Sequence, residues 1–255
     1  MHLRIRELSR ISAAVVMHFA LASSCFAADV YDATTDFSGT TNTNSSAWSY
    51  RYRAGTTRDG NYPLLPNFGP AVGSWTPTSP NAWTLGGDNP EVGVNGTGSA
   101  ATFTAGPSFV WPSGAMLMHP GQNSMAVVSW LSSSAAIATI QFSFLDLDNN
   151  AVEPYLSDGI DWYVERNSGG FTLASGTIAN GGGTGILIIS DVSVSPGDRI
   201  NFLIAPKSAY NYDSTQFNAT ITATSVPEPS THLLATLAAL TLAVMRRRQG
   251  QTALP

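Results

Sequence analysis

Short alternations of apolar and polar residues, rather than long helical periods, organise the chain from residue 28 to residue 225. Seven runs have the alternation or the β-branched and aromatic content of strands, and Gly, Pro, Asn and Asp separate them. These runs are 124–131, 136–147, 159–165, 170–175, 185–194, 199–205 and 216–222. A turn, Ser195-Pro196-Gly197-Asp198, joins two of them, since Pro presets one φ angle and Gly supplies another. The pattern predicts an all-β protein, a β-sandwich with jelly-roll-like connections.

The first hundred residues have a looser pattern. The segment 48–53 (WSYRYR) alternates aromatic with small or basic residues, and Trp75, Trp83 and Trp111 stand among Gly, Pro and Asn. We expect some strands here, joined by long loops.

The N-terminus is typical of a secretory signal. Arg4, Arg6 and Arg10 form a positive region, and the apolar run 11–22 follows it. Cys25-Phe26-Ala27 places small residues where a signal peptidase reads them, which predicts a signal helix in residues 1–27 and cleavage after Ala27. The run is too short to span a bilayer, which needs about 20 apolar residues.

The C-terminal segment, residues 226–255, has three parts. Val226 is followed by Pro227, Glu228 and Pro229, and the two prolines hold this segment extended. The Leu- and Ala-rich run 232–245 then predicts a transmembrane helix, with its flanking residues adding to its length. The cluster Arg246, Arg247 and Arg248 is expected to stay cytoplasmic. That orientation places residues 28–225 outside the cytoplasm.

This three-part segment resembles the PEP-CTERM family of sorting tails. The resemblance implies that Pro227, Glu228 and Pro229 are recognised by an exosortase-type membrane enzyme and that Arg246 to Arg248 stop transfer. Proteins with such tails are associated with the cell envelope, the biofilm matrix or exopolysaccharide. An ordinary C-terminal anchor is the alternative.

The region between the two targeting segments resembles a module found in PEP-CTERM proteins, over most of residues 37–222. The matching motifs are Trp48/Tyr50, His119-Pro120-Gly121 with Trp130, Pro196-Gly197-Asp198-Arg199-Ile200-Asn201-Phe202, and Asp213-Ser214-Thr215. An Arg that commonly precedes the strand's Trp is Ser129 here. The resemblance implies a β-sandwich and assigns no activity.

Composition and charge support a β protein and argue against nucleic-acid binding. The chain is 43% hydrophobic and only 11% charged, which fits a turn-rich β protein. Residues 28–226 contain six basic and 15 acidic residues, a difference of −9. A nucleic-acid-binding protein needs a basic surface, so no nucleic-acid partner is expected.

Catalytic groups are scarce. Of the four histidines, His119 alone belongs to neither terminal segment, and the single cysteine, Cys25, lies in the leader. A disulfide, a thiol nucleophile and a His/Cys zinc site are therefore excluded from residues 28–225. No cofactor is expected, and we expect His119 to be structural.

Carboxylates offer two weaker hypotheses. Asp146, Asp148 and Asn150 end a predicted strand with alternating oxygen donors, which could bind Ca²⁺, although the EF-hand spacing fails. A glycoside hydrolase would need two facing acids, for which the candidates are Glu153, Asp158 and Asp161.

Exposed aromatic rings would allow a different function, because the apolar face of a sugar stacks on Trp and Tyr. The candidates, each near Asp, Asn or Arg, are Trp48, Tyr50, Tyr52, Trp75 and Trp83. Aromatic residues are more often core residues, which is the competing interpretation.

The sequence thus predicts an exported, non-enzymatic envelope or matrix protein. Its expected partners are a signal peptidase, an exosortase-type enzyme, the inner membrane as a transient anchor and, as a candidate, exopolysaccharide. A carbohydrate-binding module is the alternative, and a glycoside hydrolase is a distant third.

Overall fold

The computed structural model describes residues 28–58, 60, 62–86, 90–149, 157–167 and 171–226. The predicted signal helix and the segment from Pro227 onward, with its predicted transmembrane helix, lie outside the described residues. Within the described ranges no helix is long and apolar enough to cross a membrane.

The described part of the chain forms β-strands, which are numbered in chain order. They are β1 (Ala28–Asp32), β2 (Trp48–Ala54), β3 (Asn67–Pro70), β4 (Trp75–Thr76), β5 (Asn81–Thr84), β6 (Glu91–Val94), β7 (Ala101–Phe103), β8 (Val110–Trp111), β9 (Met116–His119), β10 (Ser124–Leu131), β11 (Ala136–Asp146), β12 (Ile160–Arg166), β13 (Phe171–Ile178), β14 (Leu187–Val194), β15 (Arg199–Pro206) and β16 (Thr215–Ser225).

Two large antiparallel sheets carry most of these strands. The eight-stranded sheet has the order β14-β11-β16-β9-β6-β5-β3, and β1 also pairs with β16. The five-stranded sheet has the order β13-β12-β15-β10-β2. The longest pairing, between β11 and β16, runs from Ala136 opposite Ser225 to Asp146 opposite Thr215.

Aromatic side chains join the two sheets. Phe142 on β11 contacts Trp162 on β12, with ring centroids 5.7 Å apart, and Phe202 on β15, at 5.8 Å. Phe202 also contacts Phe217 on β16 at 5.0 Å. Because β11 and β16 belong to one sheet and β12 and β15 to the other, these contacts form the core of a sandwich.

A third, three-stranded sheet packs outside this sandwich. Its strands, in the order β4-β7-β8, cover the outer face of β5 and β9 through a second apolar cluster. Trp111 of β8 is fully buried there and belongs to the same cluster as Ala82 of β5 and Leu117 of β9. Strand β9 is therefore apolar on both faces, with Met116 and Met118 in the main core.

The all-β sandwich predicted from the alternating pattern is confirmed. Strand β10 has the predicted bounds, and the other six predicted strands occur with small shifts at their ends. The strands expected in the first half are present and are more numerous than the loose pattern suggested, since the described part of residues 28–119 forms nine strands. These strands are short and were masked in the sequence by the frequent Gly, Pro and Asn.

Candidate functional site

A groove opens between the small sheet and the loop that joins β15 to β16, and its cavity volume is about 220 Å³. The first residue of β6, the last residue of β9 and the segment after β11 also line the groove. Its lining residues are Val72, Gly73, Trp75, Glu91, Phe103, Ala105, Phe109, His119, Asp148, Tyr210, Asn211, Tyr212 and Ser214.

One wall of the groove is aromatic. The half-buried ring of Trp75 meets Phe103 and Phe109 edge to face, with centroids 5.2 and 5.3 Å away. Beneath it lies Trp111, at 5.5 Å. The indole Nε1 of Trp75 donates a 3.0 Å hydrogen bond to the carbonyl oxygen of Val72, which fixes the orientation of the ring. Contacts with these three rings hold the Trp75 ring in place, and Phe103 and Phe109 line the groove beside it.

The opposite wall comes from the loop before β16. Tyr210 contacts the imidazole of His119 edge to face, with centroids 6.3 Å apart. Tyr212 lies so close to Gly106 that a Cβ atom there would be 2.8 Å from its hydroxyl oxygen. A side chain at position 106 would push Tyr212 out of place, so the glycine allows the loop to approach the small sheet.

Glu91 is a buried carboxyl group in the groove, and only 4% of the residue is exposed. It begins β6, where its neighbour across the sheet is His119 of β9. Burial raises the pKa of Glu91 to about 7, against the lowering effect of a hydrogen bond from the Val72 amide to Oε2. Glu91 therefore titrates near neutral pH.

Asp148 is the second buried carboxyl group. Burial raises its pKa to about 7, hydrogen bonds from Ser214 oppose that rise, and the nearby charge of Asp146 adds to it. The Ser214 amide donates to its Oδ2 at 3.0 Å. This contact ties the segment after β11 to the loop that carries Tyr210 and Tyr212.

Chemically, the groove pairs aromatic rings with carboxyl groups that titrate near neutral pH. In both protonation states a carboxyl group can hydrogen-bond to a hydroxyl group. Ligand sites commonly combine a mainly apolar lining with a few placed polar groups of this kind. The arrangement suits a small polyhydroxylated ligand with an apolar face.

Three of the five aromatic residues proposed to bind glycans are in the core instead. Trp48, Tyr50 and Trp83 are between 0% and 8% exposed. The hydroxyl of Tyr50 accepts a hydrogen bond from the Ser38 amide, and Nε1 of Trp83 donates to the Ser38 carbonyl. Since no ring face reaches solvent, these three residues cannot stack on a sugar.

The other two differ from each other. Tyr52 is half-buried, packs against the main core and is not among the residues that line the groove. Of the five candidates, Trp75 is the one that lines this groove.

Two of the residues proposed to bind Ca²⁺, Asp146 and Asp148, are buried. Asp146 accepts hydrogen bonds from the amides of Asp148 and Gly181, both at 3.0 Å, and burial raises its pKa to about 6. Asn150 lies outside the described residues. Within the described ranges, no group of three or more His, Cys, Asp or Glu side chains is arranged to hold a metal.

Of the acids considered for a glycoside hydrolase, the two that the structure describes, Asp158 and Asp161, do not line the groove. Asp158 accepts a hydrogen bond from the Ser208 amide, and Asp161 is on β12 in the other sheet. Glu153 lies outside the described residues. His119 does line the groove.

Sequence reasoning missed Glu91, Phe103, Phe109, Tyr210 and Tyr212. One signal was present, since Tyr210-Asn211-Tyr212 places two rings in a short loop between two predicted strands. The other three residues join the site only through strand pairing and through the small sheet, which the sequence pattern did not predict.

Comparisons with known proteins assign the chain to no family. No family model and no curated protein sequence matches it. Among solved structures, it is similar to a mutant family 29 carbohydrate-binding module complexed with mannohexaose, at 14% identity over 69% of this chain and 93% of that one, with a TM-score of 0.30. A family 36 carbohydrate-binding module in complex with calcium and xylotriose has 14% identity over 52% of this chain and 92% of that one, with a TM-score of 0.23. Scores this low support no conclusion about fold or activity, so the functional interpretation depends on the groove itself.

Proposed function

We propose that the domain is a non-enzymatic carbohydrate-binding module that takes a neutral saccharide in the groove beside Trp75. The observation that carries this proposal is the position of the Trp75 ring in one small cavity with the buried carboxyl groups of Glu91 and Asp148. The ring would stack on the apolar face of a sugar, and the carboxyl groups would hydrogen-bond to its hydroxyl groups.

The charge of the groove favours a neutral ligand. Glu91 and Asp148 each carry a partial negative charge near pH 7, and residues 28–226 have nine more acidic than basic residues. An anionic polysaccharide would be repelled by both. The cavity of about 220 Å³ is below the roughly 300–1,000 Å³ of drug-sized ligand sites, so a single ring or a chain end is the expected occupant.

A glycan array tests this proposal directly. The full chain, labelled and applied to an array of neutral and anionic oligosaccharides, should give signals on neutral glycans. Those signals should be lost in Trp75→Ala and kept in Phe171→Ala, which removes an exposed ring from β13. Signals confined to anionic glycans, or equal signals from the two variants, would contradict the proposal.

The two carboxyl groups in the groove make glycoside hydrolysis the reaction to test. A glycoside hydrolase needs one protonated and one ionised carboxyl group, and the groove holds two carboxyl groups, Glu91 and Asp148, that burial affects in the same direction. Mass spectrometry of a bound oligosaccharide after long incubation should recover it intact. Shortened products that disappear in Glu91→Gln would favour the hydrolase instead.

We further propose that the chain is exported and sorted to the cell envelope by its two terminal segments, which lie outside the described residues. The support is the order of the three parts of the tail, from Pro227-Glu228-Pro229 to Arg246-Arg247-Arg248. In a host that has an exosortase-type enzyme, replacing the three residues 227–229 with alanine should stop processing of the tail. Unchanged processing and location would refute the sorting proposal, and the saccharide proposal would be unaffected.

A further inference from the structure

Asp213 is a carboxylate without a visible partner in the interior of the domain. The residue is 0% exposed, and neither Oδ1 nor Oδ2 has a hydrogen-bond donor among the described residues. Burying a carboxylate in this way is costly unless a cation, a proton or several donors compensate for its lost hydration. Asp213 is not among the residues that line the groove, and the proposed saccharide site does not use it.

A second carboxylate nearby has the same deficiency. Asp158 precedes β12, and its Oδ2 accepts a 2.8 Å hydrogen bond from the Ser208 amide. Its Oδ1 is buried and has no donor within the described ranges. Ser157, next to Asp158, donates a 2.8 Å hydrogen bond to the carbonyl oxygen of Tyr212, next to Asp213, so the two carboxylates lie in adjoining segments.

The charges around Asp213 do not balance. Asp158, Asp146 and Asp148 all raise its pKa, and Lys207 is the opposing cation. The ammonium group of Lys207 donates to the carbonyl oxygens of Asp158 and Ile178, at 2.9 and 3.1 Å. Four carboxyl groups therefore share one lysine, which leaves an excess of negative charge at this end of the sandwich.

Asp146 and Asp148 have other roles in this cluster. Both oxygens of Asp146 accept backbone hydrogen bonds, and Oδ2 of Asp148 accepts one from Ser214. Their side chains hold the surrounding turns in place. The described acids form no ready set of three ligands, and the buried carboxylate oxygens without a hydrogen-bond donor belong to Asp213 and Asp158.

We propose that this end of the sandwich binds a divalent cation, Ca²⁺, through the carboxylate oxygens of Asp213 and Oδ1 of Asp158. Calcium takes six to eight oxygen ligands and accepts carboxylates, backbone carbonyl groups and water in flexible arrangements. Backbone carbonyl groups and water would have to complete the set of ligands. Magnesium fits less well, because it demands a near-octahedral set of ligands.

A proton is the competing explanation. A protonated Asp213 would lose its charge, and burial does raise its pKa to about 9. It would then bury an O–H donor and a carbonyl acceptor that both lack partners among the described residues. A cation satisfies both oxygens at once and also offsets the charges of the neighbouring acids.

The position of the site gives it a structural consequence. Asp213 lies between Tyr212 and Ser214, which both line the groove, and Ser214 holds Asp148. A cation on Asp213 would fix this loop against the rest of the sandwich. The cation proposal does not depend on the saccharide proposal, because it concerns only the oxygens of Asp213 and Asp158.

Thermal unfolding of the full chain tests the cation proposal. At about pH 7.5, adding ~5 mM CaCl₂ after treatment with EDTA should raise Tm by about 5 °C. Asp213→Asn should remove most of that rise. Asp161→Asn, a matched change to a half-buried acid on β12, should keep it.

Terbium luminescence gives a readout that does not depend on stability. Tb³⁺ replaces Ca²⁺ in oxygen sites, and Tyr212, next to Asp213, is placed to sensitise it. The full chain should enhance Tb³⁺ emission, Ca²⁺ should compete it away, and Asp158→Asn should weaken it if Asp213→Asn does not fold. The proposal is overturned if wild type shows neither a Ca²⁺-dependent Tm shift nor this luminescence, or if Asp213→Asn retains the full shift.

Discussion

The backbone amide of Val72 donates a 3.0 Å hydrogen bond to Oε2 of Glu91, and so joins the loop before β4 to the first residue of β6. The carbonyl oxygen of the same residue, Val72, accepts the hydrogen bond from the indole of Trp75. One residue thus fixes both a carboxyl group and an aromatic wall of the groove. The groove is held by the backbone before any ligand arrives, which lowers the entropic cost of binding.

The raised pKa of Glu91 predicts how stability depends on pH. Between its ordinary value of 4.5 and its folded value of about 7, the folded protein binds more protons than the unfolded one. The free energy of unfolding should therefore fall as pH rises through this window. For Glu91 alone the fall is at most about 3 kcal/mol.

Urea denaturation at a series of pH values checks this expectation. Glu91→Gln stays neutral at every pH, so its free energy of unfolding should fall less steeply between about pH 4.5 and pH 7. Some slope should remain, because Asp148 has a pKa shifted in the same direction. Identical slopes in wild type and Glu91→Gln would show that Glu91 does not titrate as proposed.

The aromatic contacts between the two sheets predict a large effect of one core substitution. Phe142→Ala removes the ring that contacts Trp162 and Phe202, and should lower the free energy of unfolding by roughly 3–5 kcal/mol. Ile188→Ala on the adjacent strand β14 is the control, since Ile188 is 61% exposed and should change stability by less than about 0.5 kcal/mol. Comparable losses in both variants would argue against this assignment of the core.

The limits of the sequence analysis follow from what alternation can show. In β11 it predicted the strand, and the structure buries Ala136, Ala138, Ile140, Phe142 and Phe144, which recur at every second position. Strand β10 is buried on both faces, and its apolar run predicted the strand but could not show what covers it. The jelly-roll-like connection stays a prediction.

The segment 48–53 is a second case in which alternation predicts a strand but not its surroundings. Its alternation groups Trp48 with Tyr50, and Ser49 with Arg51, but does not say which group faces inward. The aromatic pair is in the core, and Arg51 lies on the outer face beneath a loop, where it donates to Ser49, to the Tyr62 carbonyl and to Asn44. The aromatic residues of the groove came together by long-range pairing, which no local pattern encodes.

A buried ion pair on the five-stranded sheet gives a third prediction. Glu165 of β12 is 0% exposed, pairs with Arg58 and accepts a 2.7 Å hydrogen bond from the Tyr62 hydroxyl. Arg58→Ala removes one cation from a buried carboxylate, and should destabilise the domain by roughly 1–3 kcal/mol, less than for a fully buried pair because the Arg58 side chain is 31% exposed. The double variant Arg58→Ala/Glu165→Gln should recover part of that loss.

A double-mutant cycle measured by urea denaturation gives the coupling energy of this pair. The double variant should be more stable than Arg58→Ala alone. A coupling energy near zero would mean that solvent screens the partly exposed Arg58 and that the ion pair contributes nothing measurable to stability.

The central claim is that the groove beside Trp75 binds a neutral saccharide, and calorimetric titration measures it most directly. The neutral oligosaccharide with the strongest array signal should bind the full chain, and Trp75→Ala should weaken binding at least tenfold, or about 1.4 kcal/mol. Phe171→Ala, which removes a ring that is 66% exposed on β13, should bind as wild type does. Equal affinities in Trp75→Ala and wild type, with both variants folded, would contradict the account.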